Sequence, residues 1–398
     1  MTPDSLTNYI SMGYGGWLEE YYNPQHFFDE VYYFSSGEDK ERRELGMHIV
    51  PVPIHRIWKS IKQFKIDIVR AYGGELACEM ACSNKVNGVP VVVSVHDRRL
   101  ECLSDMIKRT DIAFGVSEEV VQLILAKYKQ KDRIWLLPNR VNLSVMKPQD
   151  VDSNSDLNRR YPFKFRILHV GRKDPVKNID TLIRALKILG PEYCLLAIGK
   201  GDLSQYTALA KAERVGTRFF SIEAVNNEEL PGYYSWASCL CNPSRSEAMS
   251  IALIEALACG AVVVTSPIAA RGVHIKHLED GIVFDDVENP QCLASAIERA
   301  CTDWKLVERL KENARKSAVK FEKSKIDRLE VSYYQKILFM KEEGLFRKTI
   351  LEEVSDMIMR YSGNKASRFT PSWVKRNVRI LLQGFHHRVK RGANARTA

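Results

Sequence analysis

The sequence has no run of apolar residues long enough to cross a bilayer, although apolar residues make up 45% of its 398 positions. It also has no basic stretch followed by an apolar one at its start, so we expect no secretory leader and a cytoplasmic location. Its nine cysteines are scattered, which favours reduced core thiols over a disulfide framework. Cys78 and Cys82 are four residues apart without a further ligand pair nearby, so packing is favoured over metal binding.

Acidic residues are absent from the last 28 positions, which hold seven Lys and Arg residues. Much of the net charge of +10 therefore lies in this tail. Apolar residues recur there at helical spacing, at Val374, Val378, Leu381, Phe385 and Val389. A basic amphipathic helix of this kind is typical of contact with an anionic membrane surface, or equally of packing on the body of the protein. Without an aromatic and basic platform, we expect no binding of nucleic acid.

Short apolar runs alternate with amphipathic stretches through the first half of the chain. The predicted strands are Val31–Phe34, Ile66–Tyr72, Val91–Val95, Ile112–Val116 and Ile134–Leu137, and the predicted helices are Glu75–Val86 and Glu118–Tyr128. Strands that alternate with helices form βαβ units and a parallel sheet. The polar stretch Lys147–Pro162 that follows is the predicted linker.

The same alternation starts again after the linker. The predicted strands are Arg166–Val170, Cys194–Ile198, Ser238–Cys241 and Val262–Thr265, and the predicted helices are Ile179–Leu189, Glu228–Trp236, Ile251–Cys259, Pro290–Cys301 and Trp304–Phe321. We therefore predict an α/β protein with two Rossmann-like, doubly wound domains, at residues 1–155 and 156–325, and a helical tail at 326–398. In such sheets a ligand lies beyond the carboxyl ends of the strands, where the strand order reverses.

Two glutamates stand out in the segment PSRSEAMSIALIEALACG at Pro243–Gly260. Glu247 precedes a predicted helix, and Glu255 interrupts the apolar residues of that helix, where a carboxylate is costly without a partner. The backbone N–H groups that point out of the helix start are those of Met249, Ser250 and Ile251. Such N–H groups form an anion site, and carboxylates accept hydrogen bonds from sugar hydroxyls. The alternative is that Glu255 lies on a solvated helix face.

A second group of candidate residues follows the predicted strand Arg166–Val170. Gly171 allows a tight exit from the strand, and Arg172 and Lys177 lie on the loop at its carboxyl end. An Arg fork and a Lys point charge both suit phosphate oxygens. The alternative is a solvated basic loop.

The run PSRSEAMSIALIEALACGAVVVTS resembles the signature of family four glycosyltransferases, which have the GT-B fold of two domains facing across a cleft. The resemblance covers about residues 165–321 and is weaker in the first half. It implies that Glu255 binds the ribose of the donor and that Glu247 contacts the donor sugar near the reacting centre. It also implies that Arg172 and Lys177 stabilise the leaving diphosphate. Asn178 stands where the family usually has Gly.

The resemblance extends to three further sites. Gly199, in GKGD, matches a loop near the nucleotide base, and Gly15 and Gly16, in GYGG, match the glycine-rich loop after the first strand. His96, at the carboxyl end of a predicted strand, either lies close to the donor sugar or is a turn residue. The loop Pro267–Gly272 departs from the family's Gly-rich turn, which indicates an unusual donor sugar or weakened activity.

The resemblance implies a retaining glycosyltransferase of the hexosyltransferase type. It needs no divalent metal and no tightly bound cofactor, because fixed cations and helix N–H groups stabilise the departing diphosphate. The donor is a UDP-sugar or GDP-sugar and the acceptor a glycan or lipid-linked glycan, in surface polysaccharide or glycolipid synthesis at the inner face of the membrane. The alternatives are a sugar-nucleotide epimerase or phosphorylase, and a non-catalytic module that partners another transferase.

Overall fold

The computed structural model describes residues 1–347 apart from residues 3, 12–14, 73, 129 and 152–155. The basic tail with its predicted amphipathic helix lies outside the described residues. Within the described part, no helix is both long enough and apolar enough to span a membrane.

The first half of the chain forms two sheets. Their strands are β1 (Val31–Ser35), β2 (Arg42–Glu44), β3 (Met47–Pro51), β4 (Val69–Tyr72), β5 (Val91–Val95), β6 (Ile112–Gly115) and β7 (Ile134–Leu136). One sheet has the order β1-β3-β2 with β2 antiparallel, and the other has the order β4-β5-β6-β7 and is parallel throughout. Every residue of β5 is buried, as in a strand covered on both faces.

The glycine-rich segment does not follow a strand in the described residues, which corrects the expectation of a loop after a first strand. The helices of this half are α1 (Leu6–Tyr9), α2 (Gly15–Tyr22), α3 (Ile57–Gln63), α4 (Glu75–Ser83) and α5 (Glu118–Tyr128). Ser5 caps α1, because its hydroxyl accepts a hydrogen bond from the N–H of Asn8 at 3.1 Å. Gly15 and Gly16 then open α2.

A cavity of about 410 Å³ separates the edge strands β1 and β4 of these two sheets. Met1 lies at its margin and pairs with β4 as a parallel strand would. Its nitrogen donates to the carbonyl oxygen of Arg70 at 2.7 Å, and its own carbonyl oxygen accepts from the N–H of Tyr72 at 3.1 Å. Through these two backbone hydrogen bonds Met1 pairs with β4.

The second half forms one parallel sheet of six strands. They are β8 (Phe165–Val170), β9 (Tyr193–Ile198), β10 (Phe219–Ile222), β11 (Cys239–Asn242), β12 (Val263–Thr265) and β13 (Ile282–Val283). Their order is β10-β9-β8-β11-β12-β13, so the winding reverses between β8 and β11. This is the doubly wound topology expected from the sequence.

Helices cover this sheet with apolar faces. They are α6 (Asp156–Arg160), α7 (Ile179–Ile188), α8 (Ser204–Ala212), α9 (Leu230–Trp236), α10 (Ile251–Ala258), α11 (Pro267–Val273), α12 (Pro290–Thr302) and α13 (Trp304–Ala318). The helix α14 (Lys323–Glu342) follows them. In α7 the buried residues Ile179, Leu182, Ile183 and Leu186 recur at the helical period and face the core. The α/β fold class predicted from the sequence is confirmed.

The last described helix, α14, returns to the sheets of the first half. The hydroxyl of Tyr333 donates to the carbonyl oxygen of Leu136 at 3.0 Å, after the strand β7. Tyr334 is buried, and its ring meets the ring of Phe28 with centroids 4.9 Å apart. Aromatic contacts and hydrogen bonds thus hold α14 on the first half.

Within the described residues each predicted strand and helix is present, and its observed ends lie within three residues of the predicted ends. The sequence patterns do not predict β2, β3, β10, α3, α8 or α11. The predicted linker also contains α6, and Tyr161 after it packs on Trp236 with ring centroids 5.5 Å apart. Part of the linker therefore belongs to the packed body of the second half.

Candidate active site

The reversal of strand order places two loops side by side. The loop after β8 carries Gly171, Arg172 and Lys177, and the loop after β11 leads to Glu247 and the start of α10. Because β8 and β11 are parallel neighbours, both loops leave the same edge of the sheet. The sequence-predicted residues of the two motifs therefore meet at the topological switch point, where such sheets bind ligands.

Lys177 and Glu247 form an ion pair across these two loops. The Lys177 Nζ lies 2.6 Å from Oε2 of Glu247, and their side chains are 18% and 14% exposed. The hydroxyl of Ser244 also donates to Oε2 of Glu247, at 3.3 Å. The pair is partly shielded but remains accessible to solvent, so a phosphate that reaches it can compete with Glu247 for Lys177.

Arg172 projects into solvent on the same loop. Its side chain is 77% exposed, and its Nη2 lies 3.0 Å from Oδ2 of Asp174. Gly171 lies behind it, and a Cβ at Gly171 would sit 3.4 Å from Nε2 of the buried His169. The exposed guanidinium is free to swing toward an anion, because only one surface ion pair holds it.

Asn178 accounts for one departure from the family pattern. Its backbone has φ of 60°, the left-handed region that favours glycine and that Asn tolerates. Its side-chain amide donates to the carbonyl oxygens of Pro243 at 3.0 Å and Val287 at 2.8 Å. Asn thus keeps the backbone turn that Gly allows and adds a tie between the two loops.

Arg245 also fastens the loop after β8 to the loop after β11. Its Nη1 donates to the carbonyl oxygen of Pro175 at 2.8 Å and to Asp180 at 2.9 Å, and its Nε donates to Glu288 at 2.7 Å. Hydrogen bonding to Arg245 lowers the pKa of Glu288. These contacts fix the short turn that ends in Lys177.

The start of α10 faces the first half of the chain. Ser250 caps the helix, since its hydroxyl accepts from the N–H of Leu253 at 3.3 Å. Met249 and Ser250 are buried, whereas Ile251 is 45% exposed. The amide of Asn139, from the first half, donates to the carbonyl oxygen of Met249 at 3.0 Å. The start of α10 therefore contacts the first half of the chain through Met249.

Glu255 lies one helical turn inside α10 and is buried. Its residue is 8% exposed, so the alternative of a solvated face is wrong. The hydroxyl of Tyr234, on α9, donates to Oε2 of Glu255 at 2.8 Å. Burial raises the pKa of Glu255 to about 7, against the opposing effect of the Tyr234 hydrogen bond.

The loop at Gly199 is held against the loop at Gly171. Gly199 has φ of 143°, and a Cβ there would overlap the carbonyl oxygen of Gly171, so only glycine fits. Lys173 ties this region together, because its Nζ donates to the carbonyl oxygens of Gly199 and of Ile222, the latter at 2.9 Å. Burial lowers the pKa of Lys173. The carboxyl ends of β8, β9 and β10 thus form one fixed surface.

The first half brings fewer of the predicted residues to this place. His96 follows β5 and is half-buried, and burial together with Arg70 and Arg140 lowers its pKa to about 4. Gly15 and Gly16 open α2, and Ser11 before them accepts a hydrogen bond from Lys200 Nζ at 3.4 Å. No described contact joins His96 or the two glycines to the Lys177–Glu247 pair.

Arg140, at a usual Gly position of the family, belongs to a buried charge network. Its guanidinium pairs with Asp327 and, at 2.7 Å, with Glu330 of α14. Arg70 lies 3.4 Å from the other oxygen of Glu330. Burial alone would raise the pKa of Glu330, but Arg140 and Arg70 hold it below its usual value. The network joins α14 to the first half next to His96.

The unusual loop Pro267–Gly272 forms most of the helix α11. Ser266 caps it, and a Cβ at Gly272 would overlap the carbonyl oxygen of Ala248, so the helix packs closely on the Glu247 loop. Arg271 lies 2.9 Å from Glu119 of α5. This loop therefore both supports the site and contacts the first half.

Sequence reasoning missed Tyr234, Lys173 and Asn139, although each contacts a predicted site residue. Lys173 was detectable as a third basic residue in the loop after β8. Tyr234 carries no such signal, because a Tyr on an apolar helix is usually a core residue.

No group of three or more His, Cys, Asp or Glu side chains within the described residues is arranged to hold a metal ion. Asp285 and Asp286 lie in a bend, where Asp286 accepts a hydrogen bond from the N–H of Glu288 at 3.1 Å. The carboxylate of Asp286 thus stabilises the local turn.

Part of the second half matches a known family of proteins. Residues 153–317 match the family described as "Glycosyl transferases group 1". YtcC of Bacillus subtilis, named as a glycosyltransferase, is 21% identical over 306 residues, 70% of this chain and 75% of YtcC. An uncharacterized glycosyltransferase of Methanocaldococcus jannaschii is 31% identical over 199 residues, 47% of this chain and 49% of the relative. The chain thus spans about half of that second relative.

The fold has relatives among solved structures. Anabaena HepE, in a crystal structure with UDP-glucose, superposes with a TM-score of 0.69 at 15% identity. The match covers 81% of this chain and 96% of HepE. At this identity the likeness shows the shared two-domain fold alone.

Proposed function

We propose that this chain, whose residues 153–317 match the group 1 glycosyltransferase family, is an active retaining glycosyltransferase. It binds a nucleotide-diphosphate sugar at the switch point between β8 and β11. It transfers the sugar, a hexose, to a glycan or a lipid-linked acceptor. No tightly bound cofactor and no divalent metal takes part in this reaction.

The observation that carries the proposal is the meeting of four groups at one sheet edge. The cations Arg172 and Lys177 leave β8, while Glu247 and the start of α10 follow β11. Lys177 already contacts Glu247 at 2.6 Å, so a cation and a carboxylate stand side by side. A donor needs this combination, because its diphosphate is anionic and its sugar carries hydroxyl donors.

The reaction breaks the bond between sugar C1 and a diphosphate oxygen, whose electron pair stays with the diphosphate. The acceptor hydroxyl oxygen forms the new bond to C1 from the same face, and its proton passes to the departing diphosphate. Negative charge grows on the leaving group and positive charge on the sugar ring. The negative charge of the leaving group is stabilised by Lys177, Arg172 and the N–H groups at the start of α10. Glu247 lies near the positive charge of the sugar ring.

The donor is a UDP-sugar or GDP-sugar in this proposal. The nucleotide lies along the fixed surface at the ends of β8, β9 and β10, with its base near Gly199 and its ribose at Glu255. Crystals of Anabaena HepE hold UDP-glucose, which makes UDP the first nucleotide to test.

In this proposal the acceptor binds to the first half of the chain, and His96 lies close to the donor sugar. The basic tail after Pro371, which lies outside the described residues, contacts an anionic membrane surface. The protein then works in the cytoplasm at the inner face of the membrane, in synthesis of surface polysaccharide or glycolipid.

Calorimetric binding of UDP, GDP and ADP without divalent metal tests the donor site. Wild type is expected to bind one of them, and Glu255→Ala to lose that binding. Glu312→Ala is the matched control, because this glutamate lies on α13 with a side chain that is 71% exposed. Absence of nucleotide binding to wild type would favour a non-catalytic module. Inverted configuration at C1 of the product would contradict retention.

A further inference from the structure

Tyr234 holds one oxygen of the Glu255 carboxylate. Tyr234 is fully buried on α9, and its hydroxyl donates to Oε2 of Glu255 at 2.8 Å. Within the described residues no group donates to Oε1 of Glu255. One oxygen of the carboxylate is therefore fixed by the protein, and the other is left for a ligand.

Packing alone does not explain why residue 234 carries a hydroxyl group. A Phe would fill the same volume at this position, whereas a buried hydroxyl is costly without a partner. The partner here is itself buried, so the two groups are matched to each other. A hydrogen bond to a buried carboxylate fixes its rotamer and favours its ionised form.

We infer that Tyr234 is a positioning residue for the donor: it holds Glu255 through Oε2 so that Oε1 faces the vicinal hydroxyls of the donor ribose. The inference rests on the proposed function, because it takes Glu255 as the ribose-binding group. It adds a residue on a separate helix, α9, whose contact with the donor is indirect.

The ionisation of Glu255 depends strongly on its hydrogen bond from Tyr234. Burial and Tyr234 are the two influences on its pKa, which stands at about 7. Cys259 lies one turn further along α10, and Arg315 of α13 donates to the carbonyl oxygen of Ala258 at 2.6 Å. No described lysine or arginine pairs with the carboxylate itself. Loss of the Tyr234 hydrogen bond would therefore raise the pKa of Glu255 further.

The test compares UDP with 2′-deoxy-UDP on wild type and on Tyr234→Phe, by calorimetry over a range of pH. If wild type binds GDP rather than UDP, GDP and 2′-deoxy-GDP take their place. The variant should bind UDP about 10- to 100-fold more weakly, the effect of one hydrogen bond to a charged group. Its loss of affinity for the deoxy nucleotide should be smaller, because that nucleotide keeps only one of the two vicinal hydroxyls. Its UDP affinity should also reach its plateau at higher pH.

Turnover separates positioning from a general structural defect. KM for the donor should rise in Tyr234→Phe while kcat stays close to wild type, because the reacting centre lies at Glu247 rather than at Glu255. Tyr233→Phe is the matched control, since this tyrosine is the next residue on α9 and is only half-buried. It should leave both constants unchanged.

Equal losses for UDP and 2′-deoxy-UDP in Tyr234→Phe would overturn the inference and leave the proposed function standing. Failure of wild type to bind UDP, GDP or ADP would overturn the proposed function and the inference with it. Glu255→Gln keeps the test valid if Tyr234→Phe folds poorly, because Gln still accepts the tyrosine hydrogen bond. This variant should lose the discrimination between UDP and 2′-deoxy-UDP, and retained discrimination would overturn the inference.

Discussion

Lys177 Nζ lies 2.6 Å from Oε2 of Glu247, and this contact joins the loop after β8 to the loop after β11. The pair stands at the point where the strand order of the second sheet reverses. In the proposed reaction, a donor diphosphate that binds Lys177 takes the place of Glu247 in this ion pair. Under that proposal, donor binding frees the carboxylate of Glu247 to contact the sugar.

Lys177→Ala should lower kcat by about 100-fold, because it removes one cation that stabilises the departing diphosphate. Glu247→Gln should also lower kcat, and the double variant should lose less than the product of the two effects, since both lose the same pair. Steady-state kinetics with the donor measures this. Lys316→Ala is the control, because Lys316 pairs with Glu312 at 2.7 Å on an exposed helix face. Fully multiplicative effects would contradict a shared role.

Arg172→Ala should lower kcat at least about 100-fold while leaving the free energy of unfolding within about 0.5 kcal/mol of wild type. The reason is that Arg172 is 77% exposed and makes a surface ion pair with Asp174. Stopped assays and urea unfolding measure the two quantities. Asp174→Asn removes the same ion pair but keeps the guanidinium, so its turnover should stay near wild type. A normal rate in Arg172→Ala would remove this residue from the mechanism.

Glu255→Gln should make the protein more stable than wild type above about pH 7. Burial raises the pKa of Glu255 from its ordinary value of 4.5 to about 7. A carboxyl group whose pKa is raised by folding stabilises the fold at pH values below its pKa in the unfolded chain. This contribution is lost as the pH rises through its pKa in the folded protein. The gain from Gln should therefore be largest at about pH 8, up to ~3 kcal/mol, and vanish near pH 4.

Urea unfolding of wild type and Glu255→Gln at several pH values checks this difference. Glu312→Gln serves as the exposed control, and it should show no such dependence on pH. A stability difference that stays constant from acid to alkaline pH would contradict a buried, titrating Glu255.

The sequence predicts the second half of this fold well, because its strands are short apolar runs between amphipathic helices. The helices α7 and α10 begin at their predicted first residues and end within one residue of their predicted ends. The strands β2 and β10 escape prediction for a physical reason. β2 is short and polar, RRE, and β10 is a four-residue strand, FFSI, whose apolar residues are interrupted by Ser221, so neither shows a continuous apolar run.

The site is predictable where it consists of local motifs and unpredictable where it depends on tertiary contacts. Glu247, Glu255 and Lys177 lie in motifs with recognisable spacing. Tyr234 and Arg140 act on partners 21 and at least 187 residues away in the chain, and no local pattern encodes such a contact. Whether His96 and the glycines at 15 and 16 take part stays a prediction.

Arg140→Met should destabilise the protein by about 3–5 kcal/mol, because it leaves Asp327 and Glu330 buried without their main cation. Their side chains are 2% and 0% exposed. Urea unfolding of the intact chain measures the change. Lys187→Met is the control, since Lys187 is 59% exposed, lies 2.7 Å from Glu213, and should cost less than about 1 kcal/mol. Equal costs for both variants would contradict a buried network.

The return of α14 also bears on how the chain folds during synthesis. Arg70 and Arg140 leave the ribosome early, but their carboxylate partners Asp327 and Glu330 follow only after the whole second half has been made. The nascent first half therefore exposes two cations and the apolar surface that α14 later covers. Its maturation depends on a late event, the docking of one helix, so this half is exposed to chaperones and proteases for most of translation.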